Sequence, residues 1–185
     1  MAIEIELKAH VKDREALKAT LDEKAKFCGS FVKEDCYWLA TPDMPVSKLR
    51  FRREKLCLPD GSEKETYFTT CKIKELRDGI EINDEFEFEV NPGPAFEEFI
   101  KQLGFTPDIS KRKQGWAYSW KGICAELAEV EGLGWFLELE ILAEDKQEKT
   151  LLQARNRLLD LLNELGIDRQ DIESRFYTEM LLSKP

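Results

Sequence analysis

Apolar and polar residues alternate one by one along several stretches of this chain, and elsewhere the apolar ones recur every three or four positions. Ile3, Ile5 and Leu7 fall on one parity and Glu4, Glu6 and Lys8 on the other, which predicts a strand with one apolar and one ionic face. The same alternation returns over residues 48–54, where Leu49 and Phe51 oppose Arg50 and Arg52, and over 66–75, where Cys71 and Ile73 oppose Lys72 and Lys74. Over 83–90, Phe86, Phe88 and Val90 oppose Glu85, Glu87 and Glu89. Over 135–141, Leu137 and Leu139 oppose Glu138 and Glu140. Further strands are expected at 31–39, 111–120 and 123–130, with hairpin turns at Pro59-Asp60-Gly61 and at 131–134.

Three segments carry the helical period instead. Residues 13–27 hold Leu17 and Leu21 four apart behind a capping Asp13. Residues 94–104 open on Pro94, carry Phe96, Phe99, Ile100 and Leu103 as a stripe, and end at Gly104. Residues 146–165 place Leu151, Leu158, Leu162 and Leu165 on one face before Gly166. An acidic alternating strand runs into a helix three times, as IEIELK, EFEFEV and LELEI. About eight mainly antiparallel strands with a few outer helices make an α+β fold, expected as one domain over 1–185.

Composition narrows the chemistry. The single histidine, His10, excludes histidine triads and multi-histidine metal sites, and is read as a surface or strand-end residue. Five cysteines without a CxxC pair argue against a disulfide scaffold or zinc site, and read as small, mostly buried apolar residues. A net charge of −9 disfavours binding to a nucleic-acid polymer. No apolar run reaches the ~20 residues of a membrane span, and no basic-then-apolar leader opens the chain, so a cytoplasmic protein with no membrane partner is expected.

The ionic faces raise the central question. Any one of them could be the ordinary wet face of a half-buried sheet. Together they stack like charges: Glu4/Glu6, Glu85/Glu87/Glu89 and Glu138/Glu140 against Arg50/Arg52, Lys72/Lys74 and Lys111/Lys113. Such blocks repel unless opposite charge lies across from them. A closed barrel with its ionic faces inward supplies that arrangement, its apolar faces being covered outside by the helices. Basic groups in the lumen suit a phosphate chain. Carboxylates beside them would hold Mg²⁺ or Mn²⁺ bridging to phosphate oxygens.

Here the chain resembles the CYTH family, the triphosphate tunnel metalloenzymes, whose ExExK signature stands as Glu4-Ile5-Glu6-Leu7-Lys8. The resemblance runs on in order through EDCYW (Asp35, Tyr37), LRFR (Arg50, Arg52), CKIK (Lys72, Lys74) and EFEFE (Glu85, Glu87). It continues through KRKQGW (Lys111, Lys113, Trp116), VEGLGWFLELE (Glu138, Glu140) and YTEML (Tyr177). The layout is most similar to the class IV adenylate cyclase-like subgroup. The resemblance implies a closed eight-stranded antiparallel tunnel. Glu4, Glu6, Glu138 and Glu140 would hold Mg²⁺ or Mn²⁺, and Arg50, Arg52, Lys72, Lys74, Lys111 and Lys113 would hold phosphates. Lys8 would orient or activate the nucleophile, and Glu85 and Glu87 would line the tunnel or reach the metal. Three activities stay open: an adenylate cyclase acting on ATP, a triphosphatase acting on tripolyphosphate or thiamine triphosphate, and a non-catalytic polyphosphate or nucleotide binder. A homodimer through the third helix is also open.

The chain departs from the family pattern at named positions. Ala128 stands where Asp is usual, with Glu126 of the same parity as its conceivable substitute. Asn83 stands where Arg is usual, Lys113 where Arg is commoner, and Trp116 where Tyr is usual. No His-Phe pair precedes Glu4, which weakens the cyclase reading specifically.

Overall fold

A computed structural model of the protein describes residues 2–41, 48–77 and 79–183, leaving the side chains of Ala2 and Lys74 undescribed. The elements in chain order are β1 Ala2–His10, α1 Arg14–Lys24, β2 Lys26–Leu39, β3 Lys48–Cys57, β4 Glu63–Arg77, β5 Ile80–Glu89 and α2 Gly93–Gln102. There follow β6 Thr106–Trp120, β7 Ile123–Val130, β8 Gly134–Ala143, α3 Glu148–Glu164, a 3₁₀ turn Arg169–Asp171 and α4 Tyr177–Leu182. The strands close into a barrel in the order β1-β5-β4-β3-β2-β6-β7-β8, every pair antiparallel. The three acidic strands do run into α1, α2 and α3. Among the described residues no helix is long and apolar enough to cross a membrane.

Several boundaries differ from expectation. α1 stops at Lys24 rather than at residue 27, because Ala25 is already extended. Lys26 and Phe27 then pair with Ser119 and Tyr118, a ladder that the helix would forgo. β5 opens at Ile80, three residues early, and α4 was not anticipated. The cysteines, expected to be mostly buried, are at best half-buried, and Cys124 is exposed.

The apolar strand faces do point outward. α1 and α3 cover β1, β6, β7 and β8 with a core that includes Leu7, Leu21, Leu127, Leu139, Leu158 and Leu162. α2 lays Ile100 against Trp38, Phe51 and Phe105. Each such side chain contributes about 1.5–3 kcal/mol on burial. Cover is incomplete, however: Ile73 and Phe88 are each 60% exposed and Phe86 45%. The helices therefore sheathe only part of the barrel. Trp38 and Trp120 are buried in these cores, and Trp135 stacks on Trp116 at 5.6 Å, so these tryptophans serve packing.

Closure requires β6 and β7 to approach closely at Gly115. A Cβ there would stand 2.1 Å from the Leu127 carbonyl oxygen and 2.7 Å from Ala128 Cα, both backbone atoms. Gly115→Ala is expected to lower unfolding stability by about 3 kcal/mol, read from the midpoint of urea denaturation at unchanged slope.

Candidate functional site

Because side chains alternate across each strand, closing the barrel with the apolar faces outward turns every ionic face into one lumen. The result is a channel of about 630 Å³. Its wall carries Glu4, Glu6 and Lys8 of β1, Arg50 and Arg52 of β3, Lys72 of β4, Glu85 and Glu87 of β5, Lys111 and Lys113 of β6, and Glu138 and Glu140 of β8. These are the residues singled out in the sequence, gathered from positions more than 130 residues apart in the chain. Lys74 lies outside the described side chains. The wall also holds Glu126, named above as the conceivable substitute for the Asp missing at position 128, and Lys33, Glu54 and Glu81, which the sequence reading had not placed in the site. Each shares the parity of a flagged neighbour on its strand, and that signal would have found them. Asp35, known only from the motif comparison, is completely covered and anchors the basic wall.

Opposite charges meet across the strands. Lys8 donates to Glu81 at 2.7 Å. Arg52 forks onto Asp35 at 2.6 and 3.1 Å, and Lys111 reaches the same carboxylate at 3.0 Å. Arg50 donates to Glu87 at 2.8 Å, Glu85 at 3.2 Å and the Thr70 hydroxyl at 2.9 Å. Lys72 bonds Glu4 and stands 3.1 Å from Glu85. Lys113 bonds Glu138 and, at 2.8 Å, Glu126, which also accepts from Lys33 at 2.6 Å.

This pairing leaves one wall over-supplied with carboxylates. Register sets Glu6 of β1 opposite Glu140 on one side and Glu81 on the other. Burial, then Glu138 and Glu81, pushes Glu6 up to about 7. Burial, then contact with Glu85, pushes Glu4 up to about 7 against the pull of Lys72. Burial, then Glu4 and Glu6, pushes Glu140 up to about 8. The paired groups behave oppositely. Burial works against ionisation of Glu138, yet Lys113 holds it down at about 2. Burial likewise opposes ionisation of Glu126, but Lys113 and Lys33 outweigh it and hold that carboxyl well below the usual carboxylate range. Asp35 is held there by Arg52 and Lys111 against its own burial.

Crowded, buried carboxylates short of positive charge are a donor set for a hard divalent cation, which prefers oxygen ligands. A buried Oε1 of Glu138 without a hydrogen-bond partner fits the same reading. Among the described residues no three carboxylate, imidazole or thiol groups are already gathered as a preformed cluster, since Glu4 and Glu138 are turned toward lysines.

The departures from the family pattern have visible settings. Ala128 is buried and backs Gly115, so no carboxylate enters from that position. Glu126, two residues earlier, does face the channel. Asn83 is fully buried between Glu4 and Lys74 in register, and neither amide atom has a hydrogen-bond partner.

The lower end of β1 is tied to the segment before α4. Glu173 accepts from Arg175 at 2.6 and 3.0 Å, lies 3.2 Å from the half-exposed His10 at the end of β1, and bonds the Lys8 carbonyl through its backbone N–H. The Arg175 side chain, with its backbone N–H and His10, holds Glu173 at about 2, down from 4.5. A depressed carboxyl stabilises the fold fully above about 4.5 and ceases to do so as pH falls toward 2. Glu173→Gln is therefore expected to flatten the acid side of the stability curve and to cost about 1–2 kcal/mol at pH 7, allowing for the exposed Arg175. Urea denaturation at pH 3 and pH 7 checks it.

Comparisons with known proteins agree with this geometry. A Methanocaldococcus jannaschii protein provisionally named an adenylate cyclase is 27% identical over 181 residues, covering 96% of this chain and 98% of its own length. The PH1819 protein of Pyrococcus horikoshii superposes with a TM-score of 0.82 at 29% identity, over 98% of this chain and 99% of that one. The PH1012 protein of the same organism gives 0.75 at 27% identity, over 95% and 98%. The CYTH domain matches residues 2–177, and the chain belongs to the CYTH family.

Proposed function

We propose that this protein is a divalent-metal-dependent cytoplasmic enzyme, acting as one triphosphate tunnel domain, that converts ATP to cyclic AMP and pyrophosphate. The observation that carries the reading is the convergence of Arg50, Arg52, Lys72, Lys111 and Lys113 with an over-acidic carboxylate wall inside one enclosed channel. A binder alone could hold phosphate without that excess of buried carboxylate. The provisional cyclase name of the archaeal relative points to the same activity.

Glu4, Glu6, Glu138 and Glu140 would hold Mg²⁺ or Mn²⁺, with Glu85 and Glu87 beside the basic wall. Bound there, the ion supplies positive charge to phosphate oxygens. Arg50 and Arg52 fork onto those oxygens, while Lys72, Lys74, Lys111 and Lys113 add point charges that stabilise negative charge growing on the leaving pyrophosphate. Lys8 orients the ribose 3′-hydroxyl toward the α-phosphorus. Arg50, Arg52, Lys72, Lys111 and Lys113 are each prepositioned by a carboxylate, so the entering phosphate exchanges one anionic partner for another instead of ordering a free side chain.

The nearly continuous ionic lining favours a second reading on the same parts, with water attacking the terminal phosphorus of tripolyphosphate or thiamine triphosphate. Incubation with ATP, GTP, thiamine triphosphate and tripolyphosphate under Mg²⁺ and Mn²⁺, with products separated, tests both. Cyclic AMP with pyrophosphate is expected. Orthophosphate released only from tripolyphosphate replaces the cyclase with the hydrolase. Tight binding without turnover leaves a binding module, the reading that Asn83 and Ala128 motivate.

A further inference from the structure

We infer that Tyr177 is a positioning residue whose ring seats the ammonium groups of Lys8 and Lys111 at one end of the channel. α4 is six residues long and is held by what it buries: Tyr177 and Met180 pack with Val130 and Phe136. The Tyr177 ring meets Phe136 edge-on, centroids 5.0 Å apart. That contact fixes its plane. Lys8 Nζ then stands over the ring at 5.4 Å from its centroid and Lys111 Nζ at 5.0 Å.

These two lysines come from β1 and β6, which are separated by β7 and β8 in the barrel, so the ring is a contact they share and the sheet alone does not provide. Each also has an anionic partner, Glu81 at 2.7 Å and Asp35 at 3.0 Å. A carboxylate fixes an ammonium but repels an incoming phosphate. An aromatic face attracts the same ammonium through its quadrupole and carries no net charge. The ring thus orders both lysines while leaving their charge available to the substrate. This role rests on the triphosphate reading above, and it assigns to the closing YTEML stretch a task in the channel beyond that of an end cap.

The test alters the ring's electrostatics and keeps its shape. Pentafluorophenylalanine introduced at position 177 reverses the quadrupole at nearly constant volume, and Tyr177→Phe removes only the hydroxyl. Affinity for tripolyphosphate is measured by calorimetry without divalent metal, and unfolding temperature is recorded for each variant. Tyr177→Phe is expected to bind within about twofold of the native protein and the fluorinated ring about tenfold more weakly. In a Lys111→Met background the fluorination penalty should shrink to threefold or less. A purely structural residue gives equal affinities for the fluorinated and plain rings, which overturns the proposal. So does a penalty of the same size in both backgrounds, or a loss in Tyr177→Phe matching that of the fluorinated ring. A native protein that binds neither tripolyphosphate nor ATP overturns the triphosphate reading itself, and this inference with it.

Discussion

Glu4→Ala is expected to reduce metal-dependent turnover of the preferred triphosphate at least about 100-fold, a loss of several kcal/mol of transition-state stabilisation. Stability should hardly change. Glu4 sits on the over-acidic wall, where burial and Glu85 already oppose its ionisation, so removing it relieves crowding. Lys72 is not stranded by the change, because Glu85 remains 3.1 Å away. The combination of lost turnover with an unchanged unfolding temperature is specific to a carboxylate retained for chemistry. Turnover equal to that of the native protein removes Glu4 from the reaction. Matching losses in stability and activity make it a structural residue.

Asp35→Asn is expected to act in the opposite sense. The carboxylate is completely covered and serves two cations, Arg52 through a fork and Lys111 through a single contact. Neutralising it leaves two buried positive charges without that partner. Breaking a buried ion pair from one side costs about 3–5 kcal/mol, which for a chain of this length lowers the melting temperature by roughly 10 °C. Tripolyphosphate should restore part of that loss, since its oxygens can replace the missing carboxylate. A loss under about 1 kcal/mol, or no rescue by the anion, contradicts the assignment of Arg52 and Lys111 to an enclosed phosphate wall.

The barrel was legible in the sequence because its lumen is ionic. In most sheets period-two patterning reveals only that one face is wet. Here Glu4/Glu6, Arg50/Arg52 and Glu138/Glu140 repeat like charges that no open surface rewards, and closure is the arrangement that answers them. Elements with weaker patterns were misjudged at their edges. Ala25 to Phe27 carry no Gly or Pro to stop α1, and it is pairing with β6 that draws Lys26 and Phe27 into a strand. α4 escaped because six residues hold too little periodicity to register; it exists through Tyr177 and Met180, which are buried against Phe136 of β8 and Val130 of β7. The site was legible where two like charges stood in one strand. It was missed where a charge lay outside such a like-charge pair on the correct parity, as with Lys33 and Glu81. Which carboxylates would pair and which would stay in excess depends on barrel register, and no local pattern encodes that.

The central claim is that one enclosed channel takes up both metal and triphosphate. Crystals grown with Mn²⁺ and a non-hydrolysable imido-linked tripolyphosphate test it most directly through the anomalous signal of manganese. A peak inside the barrel beside Glu4, Glu6, Glu138 and Glu140, with phosphate density reaching Arg50, Arg52 and Lys111, is the predicted result. Manganese and phosphate bound only on the outer surface, with the internal ion pairs intact, would contradict it.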